Sequence, residues 1–313
     1  MVGPSRLIHV FSLLLLLLLP GLAEARLAYF SDYFSFVGQD ARGMVAFALD
    51  TNRGQDGEEF QAEHFAVLHA EGEGWRELAG NGPFPNSAGI LEVLPDSNHF
   101  RFAGTPEAGL LIESPANDLR LRISPIPILL ARQHGNDRYR MGSAPATLCW
   151  GGRIVEGRVI YEFIHFENWN RLTRTYFGFW KDFHGLYLLL RNPATGAVGD
   201  LYLHRQHSER LASLTGMVDG FAVLAGNILR LDAAVVEVTG RRPAPGFYLW
   251  PASWQGRWRG EEEGVDLEFE LQMHERETFA NWIIGGFAMG IVKGSVHYRG
   301  ERWQAYGLGE IIK

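Results

Sequence analysis

The sequence predicts an all-β protein of antiparallel strands. Its 20 Phe, 10 Tyr and 9 Trp stand beside 37 Gly, the usage expected of many aromatic strands separated by glycine turns. The clearest periodic stretches also alternate with period two, not with the 3.6-residue period of a helix. In VDLEFELQM, Val265, Leu267, Phe269, Leu271 and Met273 share one face, while Asp266, Glu268, Glu270 and Gln272 share the other. NDLRLRISPIP repeats the pattern with Leu119, Leu121 and Ile123, and Pro125 and Pro127 end that strand.

The remaining elements follow in order. YFSDYFSFVGQDARGMVAFALDTNRG reads as two strands joined across Gly38 to Gly43, EEFQAEHFAVLHAEGEGW as a further one, and Gly80 to Gly89 as loop. GLYLLLRNPATGAVGDLYLHRQ is a hairpin around Asn192-Pro193-Ala194-Thr195-Gly196, and the tail is a hairpin turning at Arg299-Gly300-Glu301. Arg241 to Gly246 is expected to be an inter-strand loop. Only Glu209 to Val218 and Phe221 to Asp232 have helical character, weakened by Gly216, Gly220 and Gly226.

The N-terminus combines Arg6, an apolar run from Leu7 to Leu19, and Ala23 and Ala25 in an A-x-A arrangement, which is the pattern of a signal peptide cleaved after Ala25. That run is shorter than the roughly 20 residues a membrane-spanning helix needs. The mature chain is therefore expected to lack a membrane span and to be periplasmic or secreted. Cys149 is the only cysteine, so no intramolecular disulfide and no multi-cysteine metal site can form. A net charge of −7 argues against nucleic acid as partner. No GxGxxG, P-loop, HExxH or GxSxG motif occurs, and neither a cofactor nor a metal is expected.

Three regions together resemble the carotenoid 1,2-hydratase (hydroxyneurosporene synthase) and AttH-type lipocalin-like family. They are YFSDYFSFVGQDARGMVAFAL; GRVIYEFIHFENWNRL with FGFWKDFHGLYLLLRNPATGAVGDLYLHR; and GFYLWPASWQGRW, VDLEFELQMHERETF and MGIVKGSVHYRGERWQAYGLGEI. The resemblance implies two lipocalin-like antiparallel β-barrel domains, at residues 26–190 and 191–313, behind the signal peptide of residues 1–25. It also implies a site where the family's Asp-His pair would fall, here His165-Phe166-Glu167-Asn168, and a terminal Gly-x-x-Glu ending in Glu310.

Within YEFIHFENWNR, strand geometry puts Tyr161, Phe163, His165, Glu167 and Trp169 on one face and Ile160, Glu162, Ile164, Phe166 and Asn168 on the other. His165 and Glu167 on an aromatic face form a candidate acid/base pair, since a carboxyl held against aromatic surface keeps its proton near neutral pH. Tyr161, Phe163, Trp169, Tyr176 and Trp180 are candidate ligand walls, joined by Trp282, Tyr306 and Glu310 from the closing strands. Equally, His165 and Glu167 can be the polar end of a strand, satisfied by Arg171 or Arg174, and Trp282 and Tyr306 can be core or barrel-mouth aromatics. The functions that follow are a barrel holding a hydrophobic, lipid- or isoprenoid-like molecule, a hydratase or isomerase protonating a C=C bond of such a molecule, and a carbohydrate-binding β-protein.

Overall fold

A computed structural model describes residues 28–312, apart from 57–58, 87–88, 168–182, 208–211, 213, 245–247, 261–265 and 283–284. The segment expected to be a signal peptide, residues 1–25, lies outside the described residues. The first sheet comprises β1 (Tyr29–Asp40), β2 (Gly43–Asp56), β3 (Glu59–Ala70), β4 (Gly74–Pro85), β5 (Arg101–Thr105), β6 (Gly109–Ser114), β7 (Leu119–Ile123), β8 (Ile128–His134), β9 (Asp137–Trp150) and β10 (Arg153–Phe166). The second comprises β11 (Phe183–Arg191), β12 (Val198–Arg205), β13 (Val218–Leu224), β14 (Asn227–Arg230), β15 (Val235–Ala244), β16 (Tyr248–Arg259), β17 (Asp266–Trp282), β18 (Gly285–Tyr298) and β19 (Glu301–Ile312).

Both sheets curl and are antiparallel throughout. The strand orders are β4-β3-β2-β1-β10-β9-β7-β6-β5, with β8 also on β9, and β14-β13-β12-β11-β19-β18-β17-β16-β15. In each sheet the first strand pairs with a late one, β1 with β10 and β11 with β19, so the chain returns to its starting point before moving on. The expected boundary after residue 190 falls inside β11, a strand of the second sheet.

Because side chains alternate across each strand, each sheet has two faces, and the strands where the sheets meet, such as β1 and β11, bury both. Phe34, Phe36, Phe47, Leu49, Leu121, Val159 and Tyr161 fill the concave side of the first sheet. Trp250, Trp254, Phe269, Trp303 and Leu271 fill that of the second. A third cluster joins the outward faces of the two sheets: Tyr33, Ala48, Tyr139, Ile160, Ile164 and Phe166 pack with Tyr187, Tyr202, Phe221, Met289 and Leu308. This junction positions the site.

The alternating strands form as the sequence predicts, with Leu119, Leu121 and Ile123 buried and Arg120 and Arg122 exposed. The final hairpin turns at Arg299 and Gly300, both at positive φ (49° and 78°), the two-residue turn whose twist matches its strands. The helical expectation for Phe221 to Asp232 is wrong: β13 and β14 pair there, turning at Ala225 and Gly226 with φ of 49° and 80°. The glycines that weaken a helix serve here as turn and strand positions. Two expected loops are also largely strand, since β4 runs to Pro85 and β15 to Ala244. No helix among the described residues is long and apolar enough to cross a membrane.

Candidate functional site

Five cross-strand neighbours form one row on the outward face of the first sheet. Phe65, Asp50, Tyr33, Glu162 and Met141 lie opposite one another on β3, β2, β1, β10 and β9. On the second sheet, Ile291, Leu308, Tyr187, Tyr202 and Phe221 form a corresponding row across β18, β19, β11, β12 and β13. Glu310 stands two residues along β19, paired with Met289 and Gly185. The junction brings these rows face to face.

Tyr187 links the carboxyls. Its hydroxyl donates to Glu162 Oε2 at 2.8 Å and lies 3.4 Å from Glu310 Oε2. Its ring packs between those of Tyr33 and Tyr202, at centroid distances of 4.9 and 5.1 Å. Gly185 leaves the space for this ring: a Cβ there would lie 2.8 Å from Tyr187 Cε2 and 3.0 Å from its hydroxyl oxygen.

Burial dominates the protonation state of both acids. It pushes Glu162 up from 4.5 to about 7, Asp50 adding to the rise while the hydroxyls of Tyr187, Tyr139 and Tyr202 oppose it. Glu310 is raised well above the usual carboxyl range by the same burial, with Glu162 and Asp50 contributing. The site thus holds carboxylic acids near neutrality. An ionised carboxylate here is costly, because the tyrosine hydroxyls replace only part of the water it loses on burial.

A buried hydrogen-bond chain extends behind Glu162. Tyr139 and Tyr202 hydroxyls lie 2.7 Å apart, His204 Nδ1 is 2.9 Å from the Tyr202 hydroxyl, and His204 Nε2 is 3.1 Å from Thr215 Oγ1. Burial lowers His204 to about 3, so the imidazole is neutral. Toward the rim, half-buried Asp50 accepts from Ser31 Oγ at 2.9 Å and from Asn52 Nδ2 at 2.8 Å.

Polar latches hold the sheets together around this centre. Arg158 Nε and Ser143 Oγ of the first sheet donate to Asp200 Oδ2 of the second at 2.6 and 2.7 Å. Arg132 of β8 reaches Asp219 of β13 at 3.0 Å. On the opposite flank a bulge in β17, with Glu275 at φ 44°, turns that residue toward β3, where His69 Nε2 meets its carboxylate at 2.6 Å.

The residues singled out in the sequence fall in different places. Glu310 belongs to the junction. Tyr161 lies on the other face of β10, inside the first sheet's curl, where its hydroxyl donates to Asp32 Oδ1 at 2.5 Å. Phe163 packs against the same interior cluster. His165 is buried, its ring tilted against that of Phe30 at a centroid distance of 4.4 Å, with Arg138 Nε 3.3 Å from its Nδ1, and burial lowers its pKa. Glu167 follows the end of β10, exposed, with its Oε2 accepting from Asn136 Nδ2 at 2.6 Å. Tyr306 packs against the junction cluster beneath Lys293, 5.3 Å from its ring. Trp282 closes β17, and Trp169, Tyr176 and Trp180 lie outside the described residues.

Sequence reading left out Glu162, Tyr187, Tyr33, Tyr202 and Asp50. One signal was present: Glu162 is the single acid among Ile160, Ile164 and Phe166, and a charge on an otherwise apolar strand face is costly unless it has a task.

No protein-family model and no curated protein matches the chain. Among solved structures it is similar to an AttH-like protein from Nitrosomonas europaea, with a TM-score of 0.56 and 10% identity over 92% of both chains. It has the fold of that protein. Kievitone hydratase from Nectria haematococca is similar over 90% of this chain and 88% of that one, with a TM-score of 0.56 and 10% identity. CghA gives a TM-score of 0.51 at 11% identity, over 91% and 88% of the two chains. The lipocalin-like arrangement implied by the sequence is therefore found, as two curled antiparallel half-barrel sheets.

Proposed function

We propose that the junction binds an unsaturated hydrophobic small molecule and protonates one of its C=C bonds, making the protein a hydratase or isomerase. The observation that carries this reading is the buried Glu162–Tyr187–Glu310 group, whose acids retain protons near neutral pH among aromatic rings. Glu162 transfers its carboxyl proton to one alkene carbon, leaving a carboxylate and a carbocation on the neighbouring carbon. The faces of Tyr33 and Tyr202 stabilise that cation through their quadrupoles. Addition of water at the cation, with its spare proton returning to Glu162, gives hydration; loss of a different carbon-bound proton to Glu162 gives isomerisation. Tyr187 holds the transient carboxylate by donating to it, and restores the acid's orientation for the next cycle.

The name of one neighbour, kievitone hydratase, agrees with this chemistry. A second reading, a carrier that holds the same class of molecule without proton transfer, draws on the apolar majority of the junction. The carbohydrate-binding reading loses three of its tryptophans, since Trp250, Trp254 and Trp303 are fully buried in the second sheet's core and offer no surface to sugar rings. We further propose that the chain is exported, with cleavage near Ala25.

Incubation with acyclic isoprenoid alkenes in deuterated water separates the two main readings. The enzyme incorporates solvent deuterium at carbon, and Glu162→Gln abolishes incorporation. Ligand retention without any incorporation points to the carrier, and undiminished incorporation in Glu162→Gln removes Glu162 from the mechanism.

A further inference from the structure

The junction contains polar atoms that the protein itself leaves without partners. The hydroxyl of Tyr33, the Oε1 atom of Glu162 and the hydroxyl of Ser35 are all buried with no hydrogen bond among the described residues. Tyr33 and Glu162 are directly opposite each other across β1 and β10, and Ser35 follows Tyr33 on the same face. Polar atoms buried without partners are costly, so a cluster of them marks where an external oxygen atom belongs.

The charges around these atoms restrict what that oxygen can be. Those acting on Tyr33 are the carboxyls of Glu310, Asp50 and Glu162, and those acting on Glu162 and Glu310 are again carboxyls. The nearest guanidinium on β10, Arg158, is committed to Asp200. Asp50 shares the row of Tyr33 and Glu162 at the half-buried rim, fixed by Ser31 and Asn52.

We infer that the junction selects an uncharged, oxygen-bearing hydrophobic molecule, whose hydroxyl or carbonyl oxygen is bound by the Tyr33 hydroxyl and the Oε1 side of Glu162, while Asp50 excludes carboxylates. This rests on the ligand-binding part of the reading above and adds the polarity and charge of the ligand. A pure hydrocarbon of the same shape leaves both groups unsatisfied. A carboxylate meets Asp50 and, among the described residues, no free cation to offset its charge.

Binding of farnesol, farnesoic acid and farnesene to the full chain, followed by quenching of intrinsic fluorescence just below neutral pH, tests the inference. Farnesol is expected to bind about tenfold more tightly than farnesene, the worth of one buried hydrogen bond, and at least as much more tightly than farnesoic acid. Tyr33→Phe, which removes only an unpartnered hydroxyl, is expected to bring farnesol close to farnesene. Asp50→Asn is expected to raise farnesoic acid affinity several-fold and leave farnesol nearly unchanged. Equal binding of the three molecules, or an alcohol preference that survives Tyr33→Phe, overturns the inference and leaves acid catalysis standing. If none of the three binds and no deuterium is incorporated into any alkene, the proposed function fails and the inference fails with it.

Discussion

Gly185 gives Tyr187 its position: where a Cβ would stand, the tyrosine ring leans over its own strand, placing its hydroxyl 2.8 Å from Glu162 Oε2. The strand neighbours of Gly185 are Glu310 and His204, so the vacancy opens beside the second acid. Gly185→Ala is expected to push the ring off Glu162. Turnover should fall at least tenfold, and overpacking should cost about 1–3 kcal/mol of stability in denaturant titration. Wild-type turnover in this variant would show that the Tyr187 contact is dispensable.

Glu162 also links stability to pH. Its folded pKa of about 7 lies above the usual 4.5, so the folded state binds the proton more tightly than the unfolded one. The contribution is therefore fully present below the unfolded value and is lost as pH rises through the folded one, a swing on the order of 3 kcal/mol. Glu162→Gln, which is neutral at every pH, is expected to match wild type in melting temperature at acid pH and exceed it above neutrality. Parallel pH profiles of the two proteins would rule this out.

Turnover carries the same signature from the other side. The proposed reaction uses the protonated form of Glu162 as donor, so its rate should be level at mildly acidic pH and fall as pH rises through about 7. A rate that rises across that interval would assign Glu162 the role of base.

The inter-sheet latch of Arg158 and Asp200 makes a separate claim. Burial raises the Asp200 pKa, with Arg158 and Ser143 opposing it, so removing the guanidinium strands a buried acid. Arg158→Met should destabilise by roughly 2 kcal/mol, less than the handful expected for a fully buried pair because Arg158 is 22% exposed. Adding Asp200→Asn should recover much of the loss, and a double variant no more stable than the single one would deny the latch its electrostatic part.

Strand alternation made much of the fold legible. Leu119 to Ile123 and Val265 to Met273 each declare one buried face, and neighbours on a strand are fixed by the backbone. The faces of Tyr161 to Arg171 were legible too, including Glu162 beside Ile160 and Ile164. What one strand does not reveal is which face meets a second sheet. The aromatic face of β10 turns into the first sheet's interior, and the aliphatic one meets Tyr187, 25 residues farther along the chain. Glu310 emerged from the resemblance of the closing hairpin, but its pairing with Glu162 depends on how the sheets pack. Phe221 to Asp232 misled for a local reason, because its glycines and its apolar spacing fit a short hairpin as well as a weak helix.

The most direct test of a protonated acid at the junction is an infrared titration of the carboxyl C=O band in wild type and Glu162→Gln. A band that titrates with a midpoint near 7 is expected in wild type and is expected to be missing from the variant. A difference spectrum in which the Glu162 carboxyl is already ionised well below neutrality, with an ordinary carboxyl midpoint, would contradict it.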